Sequence, residues 1–226
     1  MKIIAIGDTH GRDKWKSLTN EDFDKFIFVG DYFDSRDNID IDTQIQNFKD
    51  ILEFKITHPD KVELLIGNHD FHYMNGVKEE YSGFNWHYAN KISEVLQPAV
   101  DNNLINMCYV YDKWVFTHAG VTKTWAKDFD IDIDNLQESI NNKFINNKDA
   151  FKFNGFSRSG DDITQSPIWV RIPSLLKDCL DNFTFVVGHS TLKEVTITEK
   201  IIAIDTIAVS GEYLIIDNNK EIVGNI

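Results

Sequence analysis

At 226 residues, 42% of them hydrophobic, the chain can bury one sizeable core, and 1–226 reads as a single domain. A net charge of −13, from 23 basic and 36 acidic residues, repels nucleic acid and anionic membranes at long range and argues against a nucleic-acid scaffold, so no stable nucleic-acid binding is expected. It does not exclude an anionic substrate, because bound cations can reverse the local sign. The two cysteines, Cys108 and Cys179, fit no metal-ligand spacing and read as buried thiols of a reducing compartment. The apolar run from Ile3 to Ile6 is too short for a signal peptide and no segment is long enough to span a membrane, so the expected setting is soluble and cytoplasmic.

In chain order, Lys2 to Ile6 is a short β-branched strand, Trp15 to Phe23 a short helix and loop, and Phe26 to Val29 a second strand. The acidic loop from Asp34 to Asp42 leads into a helix ending near Ile56, with Ile45, Phe48, Ile51, Leu52 and Ile56 on its apolar face. His58-Pro59 closes it, and Val62 to Ile66 is the third strand. A helix is expected from Gly83 to Val95. Ile105 to Tyr111 and Trp114 to Thr117 flank Asp112-Lys113 and predict a hairpin. Ile133 to Ile145 has helical character, 154–166 reads as a mobile polar loop, and Pro173 starts a helix to Cys179. Strands are expected at Phe183 to Val187, Ile201 to Ile204 and Tyr213 to Ile216. Early strand–helix alternation followed by a hairpin and short strands predicts an α/β fold of two packed sheets with helices outside.

Five of these strands end in an Asp, Asn or His beside a glycine: Asp8-Thr9-His10-Gly11, Gly30-Asp31, Gly67-Asn68-His69-Asp70, His118-Ala119-Gly120 and Gly188-His189. Strand C-termini are where α/β sheets keep their chemistry, and a chain that needed only a core has little reason to repeat this arrangement. Hard divalent cations take carboxylate, imidazole and amide oxygen ligands. Asp8, His10, Asp31, Asn68, His118 and His189 suffice for two ions if Asp31 bridges them. Two ions about 3.5–4 Å apart polarise a phosphoryl group and lower the pKa of a shared water, so hydroxide can attack phosphorus in line. His69 is then the candidate acid for the leaving oxygen, with Asp34 on its other nitrogen. Arg171 can fork onto phosphate.

These residues resemble the calcineurin-like metallophosphoesterases. Asp8-Thr9-His10, Gly30-Asp31-Tyr32-Phe33-Asp34, Gly67-Asn68-His69-Asp70, His118 and Gly188-His189 look like the five family motifs in order, over nearly the whole chain. Thr117-His118-Ala119-Gly120-Val121, Ile168-Trp169-Val170-Arg171 and Ile202-Ala203-Ile204-Asp205-Thr206 resemble one branch most. That branch holds serine/threonine protein phosphatases, bacteriophage-type phosphatases and symmetrical diadenosine tetraphosphate hydrolases. The resemblance implies a four-layer αββα sandwich. It also implies a first ion on Asp8, His10 and Asp31, a second on Asp31, Asn68, His118 and His189, a His69–Asp34 acid pair, and Arg171 on phosphate. Three positions depart from the pattern. Thr191 stands where many members have a second His, which implies water at the first ion. Ser35 takes the place of the branch's Arg, with Arg36 one residue later as the candidate phosphate ligand, and Ile207 replaces a usual Gly.

Duller roles fit other residues. Asp70 reads equally as a turn carboxylate or a support for the site, His72 as partly exposed and structural, His87 as core-edge packing, His58 as a helix-end residue, Arg158 as solvated, and Asp128 to Asp134 as a solvated loop. The expected function is a dinuclear phosphomonoesterase acting on phosphoprotein or small phosphate esters. Mn²⁺ is the expected metal, with Fe and Zn²⁺ compatible. The alternatives are a dinucleoside polyphosphate hydrolase, a phosphodiesterase or a non-catalytic scaffold. Segments 71–95 and 154–166 are the expected selectivity determinants.

Overall fold

The computed structural model describes residues 1–77 and 79–226; Lys78, inside the 71–95 segment, lies outside them. The strands are β1 (Lys2–Ile6), β2 (Lys25–Phe28), β3 (Val62–Leu65), β4 (Ile105–Asn106), β5 (Tyr109–Tyr111), β6 (Trp114–Phe116), β7 (Thr184–Val187), β8 (Thr196–Ile197), β9 (Ile201–Ala203), β10 (Glu212–Asp217) and β11 (Lys220–Asn225). The α-helices are α1 (Ile41–Thr57), α2 (Asn68–Phe71), α3 (Trp86–Asp101), α4 (Lys123–Asp128), α5 (Leu136–Asn146) and α6 (Ile172–Asp178). One sheet runs β11-β10-β1-β2-β3-β4 and the other β5-β6-β7-β9-β8. Both are mixed, with helices flanking them, as the alternation of strands and helices predicts.

Period-two alternation builds the layers. Ile3, Ala5, Ile27, Val29 and Leu65 of the first sheet share one apolar cluster with Trp114, Phe116, Val186, Ile202 and Ile204 of the second. Their neighbours Ile4, Ile6, Phe26 and Phe28 point the other way and pack with Ile45, Phe48 and Ile51 of α1. Fully burying each such side chain contributes about 1.5–3 kcal/mol. Helix α1 starts where Asp40 accepts the Asp42 and Thr43 N–H groups, both at 3.0 Å, a cap worth about 1 kcal/mol. Ile56, assigned to its apolar face, is instead 61% exposed, because the buried stripe follows the i, i+3, i+6 spacing of Ile45, Phe48 and Ile51.

Parallel pairing brings the strand ends together. β1 pairs β2 with Ile6 opposite Phe28, and β2 pairs β3 with Phe28 opposite Leu64. Phe116 lies opposite Val186 and Val187 opposite Ala203. The residues just beyond β1, β2, β3, β6, β7 and β9 therefore emerge on the C-terminal edges of their sheets.

Several expectations are corrected. Ile105 to Tyr111 is not one hairpin arm: β4 pairs parallel with β3, and only β5 forms the hairpin with β6. The switch between sheets falls where Asn141 Oδ1 takes the Met107 and Cys108 N–H groups, at 3.0 and 2.9 Å. Helix α3 starts at Trp86 rather than Gly83, because Gly83 has φ +99° and Asn85 caps the helix through the His87 N–H. His87 is exposed rather than packed at the core edge. Strand β11 was not expected. It returns on β10 through Asn218 and Asn219, both with positive φ, as a tight hairpin requires. Among the described residues no helix is long and apolar enough to cross a membrane.

Candidate metal centre and active site

Four site residues that are not glycine have positive φ: His10 (44°), Asp31 (57°), Asp34 (60°) and His189 (63°). Such backbone costs of order 1 kcal/mol or more at each residue and persists only where the surroundings impose it. The adjoining glycines have a steric cause. A Cβ on Gly67 would lie 2.1 Å from Asp31 Oδ1, and one on Gly188 would lie 2.0 Å from Asp8 Oδ1. The two carboxylates pack directly over these Cα atoms.

Asp8, His10 and Asp31 bring one ligand atom each within 4.8 Å of one another. Asp8 accepts the His189 N–H at 3.0–3.1 Å, and Asp31 Oδ1 accepts the His69 N–H at 2.8 Å. The His10 Nδ1–H donates to the Phe33 carbonyl, leaving Nε2 with a lone pair 3.8 Å from Asp31 Oδ2. The same Asp31 oxygen lies 3.4 Å from His118 Nε2, so it sits between two groups of donors.

The second group converges on Asn68. His118 donates Nδ1–H to Val29 O at 2.9 Å, and His189 donates Nε2–H to Trp169 O at 3.1 Å. These bonds set the tautomers. His118 Nε2 and His189 Nδ1 then present lone pairs to Asn68 Oδ1, at 3.0 and 2.8 Å. Two imidazole nitrogens and an amide oxygen, all atoms that ligate divalent cations, therefore converge at one point. The donor set of carboxylate, imidazole and amide oxygen suits Mn²⁺, Fe or Zn²⁺. The residues present fit a dinuclear metal site.

The charge pattern agrees. Burial and then the charges of Asp205 and Asp31 push Asp8 well above the usual carboxylate range. Burial acts the same way on Asp31, but the adjacent His118, His69 and His10 hold it well below. The cavity thus concentrates negative charge that a divalent ion would neutralise.

His69 and Asp34 meet as expected, Nδ1 to Oδ2 at 2.9 Å. Burial disfavours the His69 cation, but Asp31 and Asp34 outweigh it and raise the pKa. His72 was expected to be partly exposed. It is 2% exposed, and its Nε2 lies 2.8 Å from the same Asp34 oxygen. The Tyr73 hydroxyl donates to Asp34 Oδ1 at 2.6 Å. Asp70 supports the site from below: fully buried, it accepts N–H groups from Asp31 (2.8 Å), Tyr32 (2.8 Å) and Gly67 (3.0 Å). Burial and then Asp31 push its carboxyl up to about 7, against the pull of those bonds.

A cavity of about 550 Å³ opens over this centre. Arg171 lines it, with its guanidinium donating to His189 O (2.8 Å), Ser190 Oγ (3.3 Å) and Ser159 O (3.1 Å). Arg36 lines it as well, so the one-residue shift does not take it out of the site. After burial, its charge is among those acting on Arg171. Arg12 and Asp205 also line the cavity and were not picked out as site residues. Arg12 pairs with Asp37 at 2.7 Å, and Thr191 donates to Asp205 at 2.8 Å. The position of Arg12, two residues after His10, was the available signal. Both selectivity segments reach the site: Ser82 lines the cavity and Ser159 holds Arg171. Arg158 is exposed and outside the lining.

The calcineurin-like phosphoesterase family matches residues 1–198. A probable serine/threonine-protein phosphatase of Encephalitozoon cuniculi is 32% identical over 143 residues, 61% of this chain and 29% of that protein. The chain therefore spans less than a third of that relative's length. Two crystal structures of a cold-active protein-tyrosine phosphatase share the fold. One, from a psychrophilic Shewanella species, has a TM-score of 0.63 at 19% identity, over 99% of this chain and 77% of that one. The other, at 1.1 Å resolution, has a TM-score of 0.64 at 19% identity, over 99% and 76%. With the family matched across most of the chain and its motifs gathered at one cavity, this protein belongs to the calcineurin-like phosphoesterase family.

Proposed function

We propose that the protein is a dinuclear phosphomonoesterase of the serine/threonine protein phosphatase type, acting on phosphoprotein or small phosphate esters. The observation that carries this is the convergence of His118 Nε2 and His189 Nδ1 on Asn68 Oδ1 beside the Asp31 carboxylate. When bound, two divalent ions, Mn²⁺ foremost, supply Lewis acidity at phosphorus and acidify a nearby water. Asp8, His10 and Asp31 would hold one, and Asp31, Asn68, His118 and His189 the other. Arg171, fixed by two backbone carbonyls, orients the phosphate oxygens, and Arg36 adds positive charge beside it. His69 keeps Nδ1–H on Asp34 and gives its Nε2 proton to the leaving oxygen. The name of the Encephalitozoon relative supports the phosphatase reading over the stretch it shares.

One observation favours a second reading, hydrolysis of a dinucleoside polyphosphate. A groove of about 590 Å³ adjoins the cavity, shares Arg12, Asp37 and Ala208 with it, and carries Lys14 beside Lys16, which is paired with Asp50 at 2.6 Å. A second phosphate-bearing half could lie there. Product release by the Mn²⁺-loaded protein from a phosphopeptide, an aryl phosphate, an aryl phosphodiester and diadenosine tetraphosphate separates the readings. Turnover of the monoesters, lost in Asp31→Asn, is expected. Preference for the dinucleotide would promote the second reading, and preference for the diester would reject both.

A further inference from the structure

His72 is absent from the motifs, yet it reaches the heart of the acid. Its Nε2 and His69 Nδ1 approach one oxygen, Asp34 Oδ2, at 2.8 and 2.9 Å. Both are hydrogen-bond lengths. Among the described residues His72 Nδ1 is buried without a hydrogen-bond partner. A proton on that buried atom would be unpaired, so the proton sits on Nε2 and is donated to Asp34. The rings of Tyr73, Tyr81 and Phe84 surround the imidazole, with centroids 4.4, 5.9 and 5.1 Å away. Tyr73 fixes the other carboxylate oxygen. Gly83 roofs the pair, since a Cβ there would lie 2.9 Å from Asp34 Oδ2 and 3.0 Å from His69 Nδ1.

We propose that His72 is a positioning residue for the proton donor. It clamps the Asp34 carboxylate together with Tyr73, His72 on the oxygen that also receives His69 and Tyr73 on the other, so that Asp34 cannot turn and the His69 ring stays aimed at the cavity. Without His72, Asp34 Oδ2 keeps one N–H donor instead of two, and the carboxylate can follow His69 as that ring gives up its proton. This inference rests on the acid role proposed for His69. It adds a residue from the 71–95 segment to the machinery.

The test compares His72→Phe, which keeps a ring but removes the donor, with His72→Gln, which returns an N–H near the Nε2 position. Both are assayed with Mn²⁺ on a phosphoserine peptide and on p-nitrophenyl phosphate, alongside metal content and thermal melting. His72→Phe should lose about tenfold in kcat on the phosphopeptide, a fraction of the 10²–10⁴ a general acid supplies. The loss on the aryl ester should be at least several-fold smaller, because that leaving group needs little protonation. His72→Gln should restore most of the difference. Equal losses on both esters, no loss on either, or Gln failing as fully as Phe would overturn the proposal. Imidazole ¹⁵N spectra of the wild type give a readout independent of turnover. His72 protonated only on Nε2 is expected, and protonation on Nδ1 overturns the clamp. A wild type inactive on both esters, with that tautomer present, would instead point to a failure of the phosphatase reading.

Discussion

The Asp8 carboxylate lies where a side chain on Gly188 would begin, 2.0 Å from the position of its Cβ. Asp8 follows β1 and Gly188 follows β7, so this contact locks the two sheets together at the candidate metal centre. The His189 N–H closes the same junction on Asp8. Gly188→Ala must push Asp8 aside or part the sheets. Overpacking of this kind costs about 1–3 kcal/mol. The expected outcome is a lower melting temperature together with weakened metal binding, read by thermal melting and by calorimetric titration with Mn²⁺. Unchanged binding would mean that Asp8 does not hold metal.

Replacing His69 by Asn removes the proposed acid but keeps a small polar side chain. The loss should fall mainly on poor leaving groups, by about 10²-fold or more on an alkyl phosphate, and far less on activated aryl phosphates. A leaving-group series with both proteins reads this directly. Parallel losses along the whole series would remove His69 from proton transfer.

Glu79 gives a pH dependence away from the metal centre. It accepts the Phe153 N–H at 3.4 Å, and burial raises its pKa from 4.5 to about 7. The folded state therefore binds this proton more tightly than the unfolded state. Stability attributable to Glu79 is full below pH 4.5 and falls as pH rises towards 7. Glu79→Gln should match the wild type near pH 4.5 and melt at a higher temperature at pH 8. The group is half-exposed, so solvent screening keeps the gain small. A variant less stable than wild type at pH 8 would contradict the shift.

The legible part of the site and the hidden part differ in where their signals lie. Asp8, His10, Asp31, Asn68, His118 and His189 each follow an apolar strand and lie within two residues of a glycine, so local pattern was enough to find them. His72 occupies the turn just after the four-residue helix α2. It meets Asp34 only because β2 and β3 are adjacent and parallel, which no spacing along the chain reveals. Asp205 leaves β9 without a flanking glycine, and its partner Thr191 comes from a separate loop. The fold shows the same division. Long apolar strands and α1 were legible from periodicity. The two-residue β4 and β8 were not, and β11, with no buried residue, gave no core signal. Asn141 decides where the chain changes sheets, from more than thirty residues downstream.

Metal content bears most directly on the central claim, that these strand ends form one dinuclear centre. The apo protein would be loaded with Mn²⁺, freed of excess ion and measured for bound metal per chain, in the wild type and in Asn68→Leu. That substitution removes the oxygen on which His118 and His189 converge while leaving Asp8, His10 and Asp31 in place. Two equivalents in the wild type and about one in the variant are predicted. A wild type that retains no metal, or a variant that still retains two ions, would contradict the account.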